Sequence, residues 1–333
     1  MRFGLKQYAR AVLCCLIACV VLDKGLAFAR DESSAISHYI MAIIHDRRGD
    51  IDKAISEYQK VLGQDRQSVL IHLRLAADYI KTDKLDKAVG ELKLAIGLDP
   101  DAVEPHAILA LLYSSENKSE LATAEYEAAL KNAAKLEPKN IDIYKSLGLV
   151  YLQQRKIKEA QNAYRMILEL SPADAQAHFY LGSVYGILKN KDSEEKEIKK
   201  AIELRPDYPE ALNYLGYLYV EQGKGLDQAE VMIKKAIEIE PENGAYVDSL
   251  GWLYFKQGKT EEALKLLERA ATLMADPVIF EHLGDAYKKS GQIDKAKANW
   301  AKSLGLDPSQ VEVKRKMDEI LTHEDATYRH ENK

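Results

Sequence analysis

A unit of 34 residues restarts along almost the whole chain, and this period constrains the fold more than any other feature. Units begin at Ala35, Val69, Val103, Ile141, Ala175, Pro209, Gly244 and Pro277. The eighth residue of each is small: Ala42, Ala76, Ala110, Gly148, Gly182, Gly216, Gly251 and Gly284. The twentieth is Ala54, Ala88, Ala122, Ala160, Ala229, Ala263 or Ala296, with Glu194 of the fifth unit as the exception. Proline closes units at Pro100, Pro172, Pro206, Pro241 and Pro308. Apolar residues recur at helical spacing, as in Leu147, Val150 and Tyr151, then Ala160, Tyr164 and Ile167. Turn residues such as Gln257-Gly258-Lys259 and Ser290-Gly291-Gln292 split each unit into two helices. Small residues at positions eight and twenty let the two backbones approach closely. Proline, which lacks an N–H and restricts the residue before it, stops the second helix. One such unit cannot bury its apolar face, whereas stacking eight creates a continuous core.

These residues resemble the tetratricopeptide repeat over residues 35–310. The resemblance implies an all-α, right-handed α-solenoid of about eight helix-turn-helix units: 35–68, 69–102, 103–140, 141–174, 175–208, 209–243, 244–276 and 277–310. Val311–Leu321 reads as a capping helix with a polar outer face, within a C-terminal segment 311–333 that ends in a polar tail. Four extra residues displace Asn132–Pro138 by one helical turn, which predicts a longer second helix in the third unit. Gly223-Lys224-Gly225-Leu226 adds one residue to the sixth turn, and the seventh unit is one residue short before Pro277. Glu194, inside the charged run Lys189–Lys200, is expected to loosen the packing of its unit.

The first 29 residues read as an address. Arg2, Lys6 and Arg10 precede the uncharged run Ala11–Leu22, and Asp23-Lys24 leads to Ala27-Phe28-Ala29. This is the order of a secretory signal peptide cleaved after Ala29. A second reading of the same segment is acylation at Cys19, since Leu16-Ile17-Ala18-Cys19 resembles a bacterial lipobox; against it, Val-Val-Leu follows the cysteine. The expected location is the periplasm, or the periplasmic side of the outer membrane if Cys19 carries lipid. Membrane attachment enters only through that lipid.

Composition removes several functions. The net charge is -5 and no basic block tracks a phosphate backbone, so nucleic acid is not an expected partner. Cys14, Cys15 and Cys19 are all the cysteines, so no disulfide or thiolate-metal framework exists further along. His38, His72, His106 and His178 share the fourth position of their units, where Tyr144 and Phe280 also stand. Stacked repeats separate such residues too far for a shared metal ion, so they are assigned to packing. Gly258-Lys259-Thr260 lacks the upstream glycine of a phosphate loop, because Leu253 stands there. No motif supports catalysis, and neither an enzyme nor a cofactor is expected.

The resemblance places function on the inner surface of the solenoid, at positions 2, 5, 9 and 12 of each first helix. Carried onto this chain, these positions give Phe179, Asn213, Tyr217, Asp248, Trp252 and Phe255, with Glu281, Asp285 and Lys288 in the last unit. Aromatic side chains beside an amide and a carboxylate suit protein or peptide segments. Packing against a neighbouring unit is the alternative for Trp252 and Phe255. The first units instead present Ile36, Tyr39, Ile43, Leu70, Leu73, Ala77 and Ile80, which suit a hydrophobic partner or self-association into a homo-oligomer. The carboxylate clamp of the family is not reproduced, because Leu149 stands where Asn is expected beside Lys145.

Ala211–Leu264, with NYLGYLYVEQG, LDQAE and GAYVDSLGWLYFKQGK, is similar to a subgroup of bacterial envelope tetratricopeptide proteins. Some of these are outer-membrane lipoproteins that deliver partners to periplasmic proteases or cell-wall hydrolases. The implied function is a non-enzymatic scaffold or adaptor of the cell envelope. The alternative is an assembly factor for an envelope complex, such as a pilus, polysaccharide-export or cytochrome-maturation machine, acting through the apolar first units.

The 19 tyrosines against 5 phenylalanines and 2 tryptophans follow the same period. Tyr79, Tyr113, Tyr151, Tyr185, Tyr219, Tyr254 and Tyr287 share position 11, and Tyr58, Tyr126 and Tyr164 share position 24. Each is expected at a helix seam, its ring buried and its hydroxyl at the rim.

Overall fold

A computed structural model describes residues 32–320. The signal-like segment, Cys19 and the tail beyond residue 320 lie outside the described residues. Among the described residues every regular element is an α-helix, and the helices come in pairs. The pairs are α1 (Glu32–Arg48) with α2 (Ile51–Gln64), α3 (Val69–Lys81) with α4 (Leu85–Leu98), and α5 (Val103–Ser115) with α6 (Ser119–Leu136). They continue as α7 (Ile141–Gln153) with α8 (Ile157–Leu170), and α9 (Ala175–Ile187) with α10 (Lys191–Leu204). The last are α11 (Pro209–Gln222) with α12 (Leu226–Ile239), α13 (Gly244–Lys256) with α14 (Thr260–Leu273), and α15 (Pro277–Lys289) with α16 (Ile293–Leu306). A final helix, α17, covers 311–320. None of the described helices is long and apolar enough to cross a membrane. The chain divides into two compact units between Met166 and Ile167, inside α8.

The turn within each pair has one conformation. Position 15 is left-handed in every repeat, at Gly49, Asp83, Asn117, Arg155, Lys189, Gly223, Gly258 and Gly291. The next residue's N–H then reaches back to the carbonyl of position 11, as in Lys84 to Tyr79 at 2.8 Å and Gln292 to Tyr287 at 2.9 Å. Glycine meets that backbone at no steric cost, whereas Arg155 and Lys189 carry a Cβ into it.

Packing within each pair depends on positions 8 and 24. A Cβ on Gly148 would sit 2.6 Å from Tyr164, one on Gly182 2.7 Å from Ile198, and one on Gly284 2.5 Å from Trp300. Gly216 and Gly251 meet Ile233 and Leu267 in the same way. The glycine thus makes room for a large residue that is at most 1 % exposed. In the first unit one core runs from Ala35 and Tyr39 through Tyr58, Leu75 and Leu92 to Tyr113. In the second, separate clusters centre on Leu215, Ile233 and Trp252, and on Leu267, Trp300 and Val313.

Three sequence expectations change. The four histidines are polar latches as well as packing groups: each Nδ1 lies 2.6 Å from a glutamate nineteen residues on, giving His38–Glu57, His72–Glu91, His106–Glu125 and His178–Glu197. Each latch ties the two helices of one repeat together. Repeats with Tyr144, Leu212, Val247 or Phe280 at position 4 carry Ala163, Met232, Leu266 or Asn299 in place of the glutamate.

Glu194 does not loosen its repeat. It is buried, because Gly186 leaves room for its carboxylate and the Tyr214 hydroxyl donates to it at 2.7 Å. The extra residues of the third repeat lengthen α6 to 18 residues, against 14 in the other second helices. Tyr126 on that helix is 44 % exposed instead of buried.

Candidate functional site

The first-helix surface of repeats six to eight gathers most of the residues singled out from the sequence. Phe179 stands apart from them on α9, half-buried, with its ring 5.2 Å from Tyr208 and 5.9 Å edge-on from Tyr214. Asn213 and Tyr217 lie one turn apart on α11, so they share a face. Asp248, Trp252 and Phe255 repeat that spacing on α13, and Glu281 and Asp285 repeat it on α15.

Two residues absent from the sequence expectation organise this surface. His282 is 5 % exposed, and its Nδ1 donates to both oxygens of Asp248 at 2.9 and 3.1 Å. Its ring stacks on Trp252 at 3.9 Å and 10°, and Trp252 stacks on Phe255 at 4.7 Å and 9°. Tyr217 lies 6.4 Å from the other side of the cluster, against His282. Glu221 is the second missed residue. It accepts from Trp252 Nε1 at 2.7 Å and pairs with Lys256 at 3.5 Å, and Lys256 Nζ stands 4.8 Å over the indole.

Trp252, at 8 % exposed, therefore belongs to the packed core of its unit, in line with the packing alternative. Phe255 is half-buried in the same stack, with Lys289 4.7 Å over its ring. Asp248 is also consumed by structure, since its two oxygens are buried on His282. These three shape the surface, and they are not its open contacts.

Glu281 and Asp285 have an internal partner. Lys316 of α17 reaches Glu281 at 2.7 Å and Asp285 at 2.6 Å, and Asp285 also accepts from Trp300 Nε1 at 3.0 Å. Burial works against the Lys316 ammonium, but the two carboxylates outweigh it and hold its pKa above the ordinary value. The last repeat thus offers a paired, partly neutralised patch where free acids were expected. A signal for this existed, because Lys316 falls where the first helix of a ninth repeat would pack.

Asn213 and Tyr217 remain. Asn213 Oδ1 is buried and has no hydrogen-bond partner, a state that costs free energy until a donor arrives. Tyr217 is half-buried beside it. Burial first, and then Glu221, Asp248 and Glu281, push its hydroxyl well above the usual phenol range, so it stays a donor. An acceptor and a donor one turn apart, flanked by a packed aromatic stack, match what an extended backbone requires.

The apolar first-unit set fares differently. Tyr39, Ala77 and Ile80 are buried, and Ile43, Leu70 and Leu73 pack against the same core. Only Ile36 of the set stays exposed, joined by Ile40 and Met41 on α1. Most of the expected hydrophobic docking face is therefore internal packing.

Comparison with known proteins agrees with this architecture. Family models described as tetratricopeptide repeat match residues 47–112, 145–209, 197–230, 245–274 and 279–310. Similar solved structures include a tetratricopeptide repeat protein from Parabacteroides merdae, 20 % identical, covering 76 % of this chain and 98 % of that one with a TM-score of 0.57. The Cut9–Hcn1 hetero-tetramer of APC/C is 16 % identical, covering 81 % of this chain and 52 % of that one with a TM-score of 0.56. Among curated proteins, the BBSome complex member BBS4 of Bos taurus is 30 % identical over 102 residues, 30 % of this chain and 20 % of that protein. The chain thus spans about a fifth of the curated relative it matches. With repeat matches covering more than half of its length and eight helix pairs in register, the chain belongs to the tetratricopeptide repeat superfamily, whose members act as protein-interaction scaffolds.

Proposed function

We propose that this protein is a scaffold that holds an extended segment of a partner protein on the first-helix surface of repeats six and seven. The observation that carries the reading is the buried, unpartnered Oδ1 of Asn213 beside the Tyr217 hydroxyl. A backbone N–H supplied by a partner would satisfy that oxygen, and a carbonyl would accept from Tyr217. The buried Trp252–His282 stack lies behind Tyr217 and fixes the surface that carries the two groups.

Asn213→Leu, which removes the acceptor, and Tyr217→Ala test the surface without cutting the core stack. Affinity capture from a cell extract with the wild-type protein defines the bound set. Loss of that set in both variants, with unchanged melting, supports the reading. Full retention in both variants overturns it. Trp252 is unsuited to this experiment because its truncation would cost about 3–5 kcal/mol of folding stability.

The cellular setting we propose is the bacterial envelope, with the protein exported as an adaptor. The ordering of charged, apolar and small residues in 1–29 and the similarity of Ala211–Leu264 to envelope proteins support it. Mass spectrometry of the mature N-terminus separates the two forms: an Arg30 start without lipid supports cleavage, and an acylated Cys19 supports anchoring. Retention of residues 1–29 in the mature chain overturns export by either route.

A second reading, an assembly factor that works through its first repeat, is favoured by Ile36, Ile40 and Met41, which stay exposed on α1. BBS4 is named as a complex member, which is in keeping with either version. Light scattering of the mature protein bears on self-association, and a strict monomer counts against that version.

A further inference from the structure

At position 10 of the first helix, seven of the eight repeats carry an apolar residue, Leu112, Val150, Val184 and Leu253 among them. The second repeat carries Asp78 there, at 1 % exposed. Its Oδ1 accepts from Lys81 Nζ at 2.9 Å, and its Oδ2 is buried without a hydrogen-bond partner. The same ammonium also donates to Asp46 of α1, in the first repeat. One lysine thus serves two carboxylates across the seam between repeats one and two. Asp46 and Lys81 keep 21 and 32 % of their side chains open, which leaves protons a route to the buried acid.

The other groups near the seam leave this balance to the three residues. Tyr58 of α2 and Tyr39 of α1 stand by as neutral phenols, and burial pushes the Tyr58 hydroxyl well above its usual range. Arg74 lies one turn before Asp78 on α3, but its Nε is buried without a partner. His45 of α1 is 3.6 Å from Asp50. On α4, Glu91 is bound to His72 and Lys87 lies over the Tyr79 ring, while on α5 His106 is bound to Glu125. Burial pushes the Asp78 carboxyl up to about 6. Lys81 opposes that rise, and Asp46 adds to it, as a like charge and as an acceptor for a proton on Asp78. Burial also works against the Lys81 ammonium, but Asp46 and Asp78 outweigh it, so the lysine stays charged.

We propose that Asp46, Asp78 and Lys81 form a proton-operated clasp between repeats one and two, which tightens when Asp78 takes up a proton and loosens when it gives the proton up. The proton goes to Oδ2, because Lys81 already holds Oδ1. Its arrival removes a buried anion whose second oxygen has no donor, and it turns two like charges into a donor and an acceptor. A raised acid stabilises the folded seam in full below the free value of 3.8, and the contribution is lost as pH rises through about 6. Mild acid therefore closes the seam, and neutral solution strains it. The clasp involves neither Asn213 nor Tyr217, so it stands or falls apart from the partner surface.

Carboxyl-carbon NMR of the protein, titrated from about pH 4 to about pH 8, should show one aspartate with its midpoint near 6, absent in Asp78→Asn. Asp46→Asn should lower that midpoint by removing the like charge. Opening of the seam is read in urea from the methyl signals of Ile71 and Ala76, two buried residues of α3. Its equilibrium constant should be about tenfold smaller at about pH 5 than at about pH 7.5. Asp78→Asn and Asp78→Leu should both lose this dependence. The leucine copies the sister repeats and keeps the test decisive if the amide unsettles the fold. No aspartate midpoint above about pH 5, a midpoint that rises in Asp46→Asn, or a tenfold change retained in both Asp78 variants would each overturn the proposal.

Discussion

The third and seventh repeats follow the same plan and end in opposite states. In the seventh, Gly251 has no side chain, and Leu267 fills the space so closely that an added Cβ would lie 2.8 Å from its Cγ. In the third, Ala110 keeps its methyl, Tyr126 turns toward solvent, and a groove remains. The third repeat also carries the longer second helix, 18 residues against 14, and buries Glu127 and Asn132 on it. Tyrosine at position 24 is buried at Tyr58 and Tyr164 and exposed at Tyr126, so the residue type alone does not seal the seam.

Substitutions can break or sharpen this contrast. The largest effect is expected from Leu267→Ala, which removes a fully buried side chain and should cost about 2–5 kcal/mol in denaturant unfolding. Tyr126→Ala at the matching position should cost under about 1 kcal/mol, because the ring is already half in water. Equal losses at the two positions would contradict the contrast. Next comes Gly251→Ala, expected to cost about 1–3 kcal/mol through overpacking against Leu267. Gly90→Ala, on a helix with nothing within 4 Å, should instead gain about 0.5–1 kcal/mol. Opposite signs from the same chemical change would locate the seam directly.

A gain of up to about 1 kcal/mol is expected for Lys189→Gly, since its left-handed backbone at φ 58° favours glycine. Thermal melting of the single variant checks it. The smallest effect is pH-dependent. Hydrogen bonds from Lys199 first, then Lys224, and the Tyr219 hydroxyl hold the Glu195 carboxyl down at about 2, against 4.5 for a free glutamate. A depressed acid stabilises the folded state above the free pKa, and the contribution disappears as pH falls from 4.5 toward 2. Glu195→Gln should therefore flatten the fall in melting temperature across that window. An unchanged slope would show that the pairing contributes nothing to stability.

The helices and their turns were legible in the sequence because each repeat obeys the same local rules. Position 15 shows how far that went: Gly258 and Gly291 announce a left-handed turn, but Arg155 and Lys189 adopt it without any local preference. There the closing hydrogen bond inside the repeat, from Lys156 to Tyr151 and from Asn190 to Tyr185, holds the backbone in place of a residue preference. The candidate surface was legible only as a stripe. Helical spacing brought Asn213 and Tyr217 to one face and Asp248 and Trp252 to another. It could not show that Asp248 is bound by His282, or that Glu281 and Asp285 are bound by Lys316, because those partners lie 31–35 residues away across a seam. Exposure failed as a guess for the same reason. Ile80 and Tyr39 share a stripe pattern with Ile36, yet only Ile36 lacks a neighbour to cover it.

The histidine–glutamate latches carry a kinetic consequence. Four of them close over the same short stretch of chain, nineteen residues, within single repeats. Closing a loop of that length is entropically cheap, and each closure draws together two helices that already touch in sequence order. Folding can therefore begin at the first, second, third or fifth repeat and spread outward by stacking. Such a chain has several starting points and no single obligatory nucleus, so damage to one latch should slow only one of several parallel routes.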